Sequence, residues 1–407
     1  MHMLRHSSFL THPPTSYKNV VMFPPVIMRI DETLAELVAF DTSSDNPTLP
    51  LATHIAMWAA DLGFDVQRYG DCFEALIIRT QPALKAKRYI GLCGHLDTVP
   101  ATDGWDTDPL MLTEAMVDGE TRYYGLGAQD MKGPVACMMH ALEKNQTVPA
   151  ALALTYNEET DFGGARLLAA NAMDILAPMT LIIGEPTQGR IGYAHASYTE
   201  WQLTITGKGG HSSDPSNSCN AMYGMACVLQ QVKALSERLM QTPYDGFPGA
   251  GSMNPGVVRG GDANNRICQS VTMTGDLRLA PGYEPDDTLE ELQTGAQRTL
   301  QEAGSACSIE VSTVCSYPSF FTSPSHPLIA YLSTITGKEA TTLPFSTDAA
   351  IFNGEADLPA LVCGPGSLDV CHQSNEYITK AGLQRGTAWY TSLLASGVGC
   401  MDTSGRL

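Results

Sequence analysis

Three short apolar runs, 89–93, 150–156 and 180–183, each end in a cluster of polar residues, and helical stretches at 132–144 and 164–172 separate them. A run without polar alternation is buried on both faces. Buried strands alternating with helices make an α/β fold with a mostly parallel central sheet flanked by helices. Runs at 64–69 and 75–79 extend that sheet. Helices are expected at 34–40, capped by Asp31-Glu32-Thr33, and at 54–62, ended by Gly63. A chain of 407 residues exceeds one ordinary core. After about Ala194 the pattern changes. Strands at 198–206, 257–259, 269–279 and 307–314 enclose helices at 220–239 and 286–303. That order is a small split βαβ, ferredoxin-like α+β domain. Segments at 328–336, 360–363 and 383–396 then return to the first style. The expected organisation is a catalytic domain in two parts, 30–194 and 315–407, with 195–314 inserted. Residues 1–29, broken by Pro13, Pro14, Pro24 and Pro25, are expected to be a disordered extension.

Lys plus Arg number 24 and Asp plus Glu 43, for a net charge of −19. With no basic patch to offset it, this charge repels a polyanion, so nucleic acid is not an expected partner. No apolar run spans a bilayer and no signal peptide is recognised, so no membrane is expected either. The 11 cysteines include no CxxC pair. Reduced thiols and a cytoplasmic location are the expectation.

The polar clusters carry the chemistry. Residues 94–100 read GHLDTVP. Side chains two apart on an extended segment share a face. His95 and Asp97 therefore lie together at a strand's carboxyl end, where open α/β sheets bind ligands. A carboxylate there orients an imidazole toward a metal; a loop histidine bonded to its neighbour accounts for this pair equally well. In GLGAQDMKG, 125–133, Asp130 precedes a helical stretch and is either a helix cap or a carboxylate bridging two cations. The segment lacks the third glycine of a dinucleotide loop. The adjacent carboxylates of Asn157-Glu158-Glu159-Thr160 repel each other unless a cation or shared proton intervenes; otherwise they form a solvated acidic turn. Glu185 follows the run at 180–183, and His372 follows Cys371 near the C-terminus. Together His95, Asp130, Glu159, Glu185 and His372 offer mixed nitrogen and oxygen ligands. Such a set suits zinc or cobalt better than calcium or magnesium. Five residues serve two metals if one carboxylate bridges and solvent fills the open positions.

With these motifs stand GEPT at 184–187, GHSSDP at 210–215, GGDANNRIC at 260–268, DLR at 276–278 and GPGSLDVCHQSNEY at 364–377. In that order, over residues 30–395, the chain resembles the co-catalytic di-zinc aminoacylase and metallopeptidase family. GHSSDP, NRIC and GEPT favour its acetylornithine branch. The resemblance implies a zinc-aminopeptidase-like catalytic domain and an inserted lid and dimerisation domain, hence a homodimer. It implies two divalent ions, zinc or cobalt, one held by His95, Asp130 and Glu185 and the other by Asp130, Glu159 and His372. Asp97 would orient His95, and Glu158 would be the general base. His211 would reach the partner subunit's site and stabilise the oxyanion. Asn265 and Arg278 would hold the carboxylate of a small N-acyl amino acid; an ion pair with Asp276 is the plainer reading of Arg278.

Two departures stand out. Asn157 replaces the family's usual Asp before the paired glutamates. Asp348 replaces a Glu of the acetylornithine branch; the resemblance places this acid close to the substrate as a binding residue, and the shorter side chain leaves the acyl amino acid open. The expected reaction is metal-assisted amide hydrolysis, with N2-acetyl-L-ornithine the leading substrate. Acetylcitrulline or succinyl-diaminopimelate deacylation and dipeptide cleavage are the alternatives, with a non-catalytic metal-binding protein as the reading from another class.

Overall fold

A computed structural model describes residues 29–44 and 46–397; the expected extension at 1–28 lies outside the described residues. The central sheet orders its strands Asp65–Gly70, Glu74–Arg79, Ala150–Thr155, Tyr89–His95, Met179–Ile183, Ala360–Val362, Ile191–His195 and Phe320–Phe321, with Ala340–Leu343 also pairing on Ile191–His195. Tyr89–His95 runs parallel to both its neighbours, Ala150–Thr155 and Met179–Ile183. The outer pairings are largely antiparallel, so the sheet is mixed around a parallel centre.

Period-two alternation explains why the central strands must be apolar throughout. Leu152 and Leu154 face one core with Val135, Met138 and Leu393. Ala151 and Ala153 face the other with Leu168, Leu176 and Phe352. Truncating a leucine such as Leu152 to alanine would cost about 2–5 kcal/mol. The helix Lys132–Lys144 is buried almost all round, wedged between the sheet and the helix Lys380–Ala395. That is why its apolar residues show no amphipathic stripe.

The inserted domain is a four-stranded antiparallel sheet, ordered Gly251–Gly260, Ser270–Leu279, Tyr198–Thr206 and Ser308–Tyr317. Trp201, Leu203 and Ile205 pack on Val228, Val232, Leu292 and Leu300 of the helices Ala221–Gln241 and Pro285–Glu302. The chain crosses between the two sheets at 196–197 and returns at 318–319.

Some boundaries differ from expectation. The first helix is Ile30–Val38, because Asp31 and Glu32 belong to its first turn, where negative charge is favourable. Glu32 reaches back to accept the Arg29 amide at 2.9 Å. The second helix starts at Leu49, since Pro50 fits a helix's first turn. The strand expected at 257–259 extends over Gly251–Gly260. Pro255 sits there at a bulge on an edge strand, the place where a missing amide is tolerated. The expectation of reduced thiols throughout is corrected at one pair. Cys219 and Cys307 form a disulfide, because Cys219 bridges back to Lys208 beside the start of the Ser308–Tyr317 edge strand. Among the described residues no helix is long and apolar enough to cross a membrane.

Candidate metal centre

His95 closes the middle one of three adjacent parallel strands. In the ladder it stands opposite Thr155, three residues before Glu158. On its other side Cys93 pairs with Ile183, two residues before Glu185. The strand ends therefore deliver Glu158, Glu159 and Glu185 to either side of His95. Asn157 takes a positive φ of 56°, a conformation asparagine tolerates, and its carbonyl accepts the amides of Asp161 and Phe162. The resulting tight turn orients the two glutamates.

Asp130 arrives from the turn before Lys132–Lys144, and its carboxylate serves no helix amide. Its Oδ1 lies 3.2 Å from His95 Nε2 and its Oδ2 3.4 Å from His372 Nε2. Glu159 Oε1 is 2.9 Å from His372 Nε2, and Glu185 Oε1 is 3.7 Å from His95 Nε2. Ligand atoms of His95, Asp130 and Glu159 fall within 4.8 Å of one another, as do those of His95, Glu158 and Glu185. All five residues expected as ligands thus converge, with Asp130 between the two imidazoles.

Asp97 lies against His95, chiefly through its backbone. The backbone carbonyl of Asp97 accepts from His95 Nδ1 at 2.9 Å, while its carboxylate stands 3.6 Å away. That carboxylate instead accepts the Glu159 amide at 3.1 Å. Asp97 so ties the strand end carrying His95 to the turn carrying Glu159.

The electrostatics fit divalent ions. Burial, then the charge of Glu185, pushes Glu158 well above the ordinary carboxylate range; burial and Asp130 do the same to Glu185. The Glu185 Oε1 atom is buried without a hydrogen bond. Hydrogen bonds to Asp130 and Glu159 raise His372 to about 10. Burial opposes charge on His95, yet the hydrogen bond to Asp130 and the nearby negative charge of Asp97 hold it well above its usual value. Crowded acids with an orphaned oxygen, interleaved with two imidazoles, form a donor set suited to zinc-like cations.

The remaining expected residues separate into three places. His211 is exposed, its Nδ1 2.7 Å from the Ser213 hydroxyl. It lines a cavity of about 1140 Å³ on the inserted domain together with Asn265, and the Ser212 amide donates to the Asn265 carbonyl at 3.1 Å. Arg278 faces a different cavity, of about 530 Å³, at the boundary of the two domains. It lies over the Tyr198 ring at 4.7 Å and 3.6 Å from Asp276, so the plainer reading, the ion pair, is present. Asp348 is 1% exposed and accepts the Thr155 hydroxyl at 2.6 Å; burial raises it to about 6.

Sequence reasoning missed Glu376. Its buried carboxylate accepts the amides of Gly127, Gln129 and Asp130 at 2.9, 2.7 and 3.0 Å, and so shapes the turn that aims Asp130. The only signal was its place within the 364–377 motif.

Comparison with known proteins agrees with this architecture. The protein-family model described as Peptidase family M20/M25/M40 matches residues 91–396. The chain is 33% identical to an acetylornithine deacetylase of Proteus mirabilis (strain HI4320) over 368 residues, 84% of this chain and 88% of that one. Among solved structures, aminopeptidase PepT from Bacillus cereus superposes with a TM-score of 0.73 at 19% identity, covering 90% of this chain and 97% of that one. The YXEP protein of Bacillus subtilis, a dinuclear metal-binding peptidase, gives 0.67 at 14% identity, with coverage of 90% and 98%. With sequence, fold and converging ligands in agreement, the chain belongs to peptidase family M20/M25/M40 and is a metal-dependent hydrolase.

Proposed function

We propose that the chain removes the acetyl group of N2-acetyl-L-ornithine, giving L-ornithine and acetate. The observation that carries the chemistry is Glu158, a carboxylate with a raised proton affinity beside His95 and Glu185. The similarity to an acetylornithine deacetylase over 84% of the chain supports the substrate. His95, Asp130 and Glu185 would hold one divalent ion, and Asp130, Glu159 and His372 a second; zinc is the metal favoured by the donor set and cobalt the alternative. When bound, such ions supply Lewis acidity, lowering the pKa of water and polarising a carbonyl.

Glu158 takes the proton of the attacking water as its oxygen bonds to the acetyl carbon. It then delivers that proton to the departing α-amine as the carbon–nitrogen bond breaks. A raised pKa suits both halves of this shuttle. Asp97 and Glu376 keep the carboxylates in place through backbone amides. His211, with Asn265 beside it, would serve the partner subunit's site and stabilise the oxyanion. Arg278 would bind the substrate carboxylate through its planar fork, and Asp348 would contribute negative charge behind the site. The exposed edge strand Gly251–Gly260 supports a homodimer. A cytoplasmic location goes with the biosynthetic role.

A panel of N-acyl amino acids assayed with added zinc or cobalt tests the substrate. Fastest turnover of acetylornithine is expected. Preference for acetylcitrulline, for succinyl-diaminopimelate or for a dipeptide would replace it. Sedimentation of an active monomer at assay concentration would remove the dimer and the role of His211 across it.

A further inference from the structure

His195 is a fully buried imidazole outside the metal centre. A ring buried this way costs several kcal/mol, on the order of a lost polar transfer, unless its nitrogens are paired. Both are. Nδ1 lies 2.9 Å from the Ala196 carbonyl, and Nε2 is 3.3 Å from the Thr347 amide. A carbonyl only accepts and an amide only donates, so the ring is neutral with its proton on Nδ1. Burial, which lowers its pKa to about 4, agrees.

Its location gives that pairing a purpose. His195 ends the last strand before the first crossing to the inserted domain. It pairs with Phe320, where the chain returns, and the two rings meet edge-on at 5.1 Å. Both connections of the inserted domain therefore meet at this residue. On the other side, Thr347 precedes Asp348, whose carboxylate accepts the Thr155 hydroxyl. Thr155 stands opposite His95 and leads into the Glu158 turn. His195, Thr347, Asp348 and Thr155 are all 0–1% exposed, so no water replaces a broken link.

We infer that His195 is a positioning residue: it ties the paired connections of the inserted domain, through Thr347 and Asp348, to the Thr155 strand end that presents Glu158. The inference rests on the proposed base role of Glu158 for its effect on rate, but not for the linkage itself. Breaking the His195 link to Thr347 would then loosen the Asp348 carboxylate, and with it the support of the Glu158 turn.

Hydrogen exchange and kinetics on the full-length His195→Gln, His195→Asn and His195→Leu variants test it. A Gln amide reaches the Nε2 position and accepts from Thr347; an Asn amide reaches only Ala196. The Asn and Leu variants should speed amide exchange together at 345–350 and 155–160, and lower kcat by about 10- to 100-fold with little change in KM. The Gln variant should stay near wild type in both readouts. Combining His195→Asn with Thr155→Val should cost no more than the larger single loss, since coupled sites are not additive. Faster exchange confined to 345–350, equal behaviour of Asn and Gln, or additive losses in the double variant would overturn the linkage. If the Leu variant does not fold, the Asn–Gln contrast decides. If wild type cleaves no N-acyl amino acid, the proposed function fails, and the exchange pattern still decides the role of His195.

Discussion

Glu376 holds the backbone amide of Asp130 at 3.0 Å, although the two residues lie on elements far apart in the chain. With the Gln129 amide on the same oxygen and Gly127 on the other, the carboxylate takes three donors at once. A glutamine in its place has one accepting oxygen and a donating amine that faces a donor. Glu376→Gln should therefore misplace Asp130 and weaken metal binding by about 10- to 100-fold, the usual cost of losing an outer partner of a ligand. Metal titration by calorimetry measures it. Unchanged affinity would reduce Glu376 to a loop fastener.

Glu158→Gln separates proton transfer from metal binding. The amide keeps the shape of the side chain and removes its basicity. Turnover should fall by about 10²–10⁴-fold, the range of general acid–base catalysis, while metal content by emission spectroscopy stays at the wild-type level. Equal hydrolysis by both proteins would end the assignment of Glu158 as base.

Stripping the metal should destabilise the protein as well as inactivate it. Burial and neighbouring acids, Glu185 for Glu158 and Asp130 for Glu185, push both carboxyls upward, and cations that bind only the folded state relieve that cost. Free metal at about 1,000 times its Kd stabilises by about 4 kcal/mol. Thermal unfolding with chelator and with added zinc checks this, and a melting temperature indifferent to metal would argue against a built site.

How much of this was legible follows from where each signal lay. The strand at Tyr89–His95 and its two neighbours read correctly, because a strand buried on both faces must be apolar throughout and its polar ending marks the ligand edge. The helix Lys132–Lys144 was expected over the same residues. Glu376 was not legible, because its partners are backbone amides and nothing in a side-chain pattern encodes them. The Cys219–Cys307 pair depends on a bridge to Lys208 that no cysteine spacing announces. His195 carried no signal, since the strand Ile191–His195 was not expected and only the tertiary approach of Thr347 gives its ring an acceptor's task. Arg278 and Asn265 were grouped by family resemblance, yet they line separate cavities of one chain.

The neutrality of His195 should appear in the pH dependence of stability. Its ring titrates near 4 when folded and near 6.5 when free. Between those values the unfolded chain binds more protons than the folded one, so stability is lost as pH falls from 6.5 toward 4. Burial is the main cause; the facing groups are the backbone of Ala196 and Thr347, and the charge of Arg278 adds to the lowering. The full shift corresponds to about 3 kcal/mol. His195→Gln cannot titrate, so its stability should decline less over that interval, by up to about this amount. Urea unfolding of both proteins, metal-free and in the same buffers at pH 7, 6, 5 and 4, measures the difference. Parallel curves would mean that the folded imidazole takes up its proton as readily as a free one, and that Nε2 is not committed to the Thr347 amide.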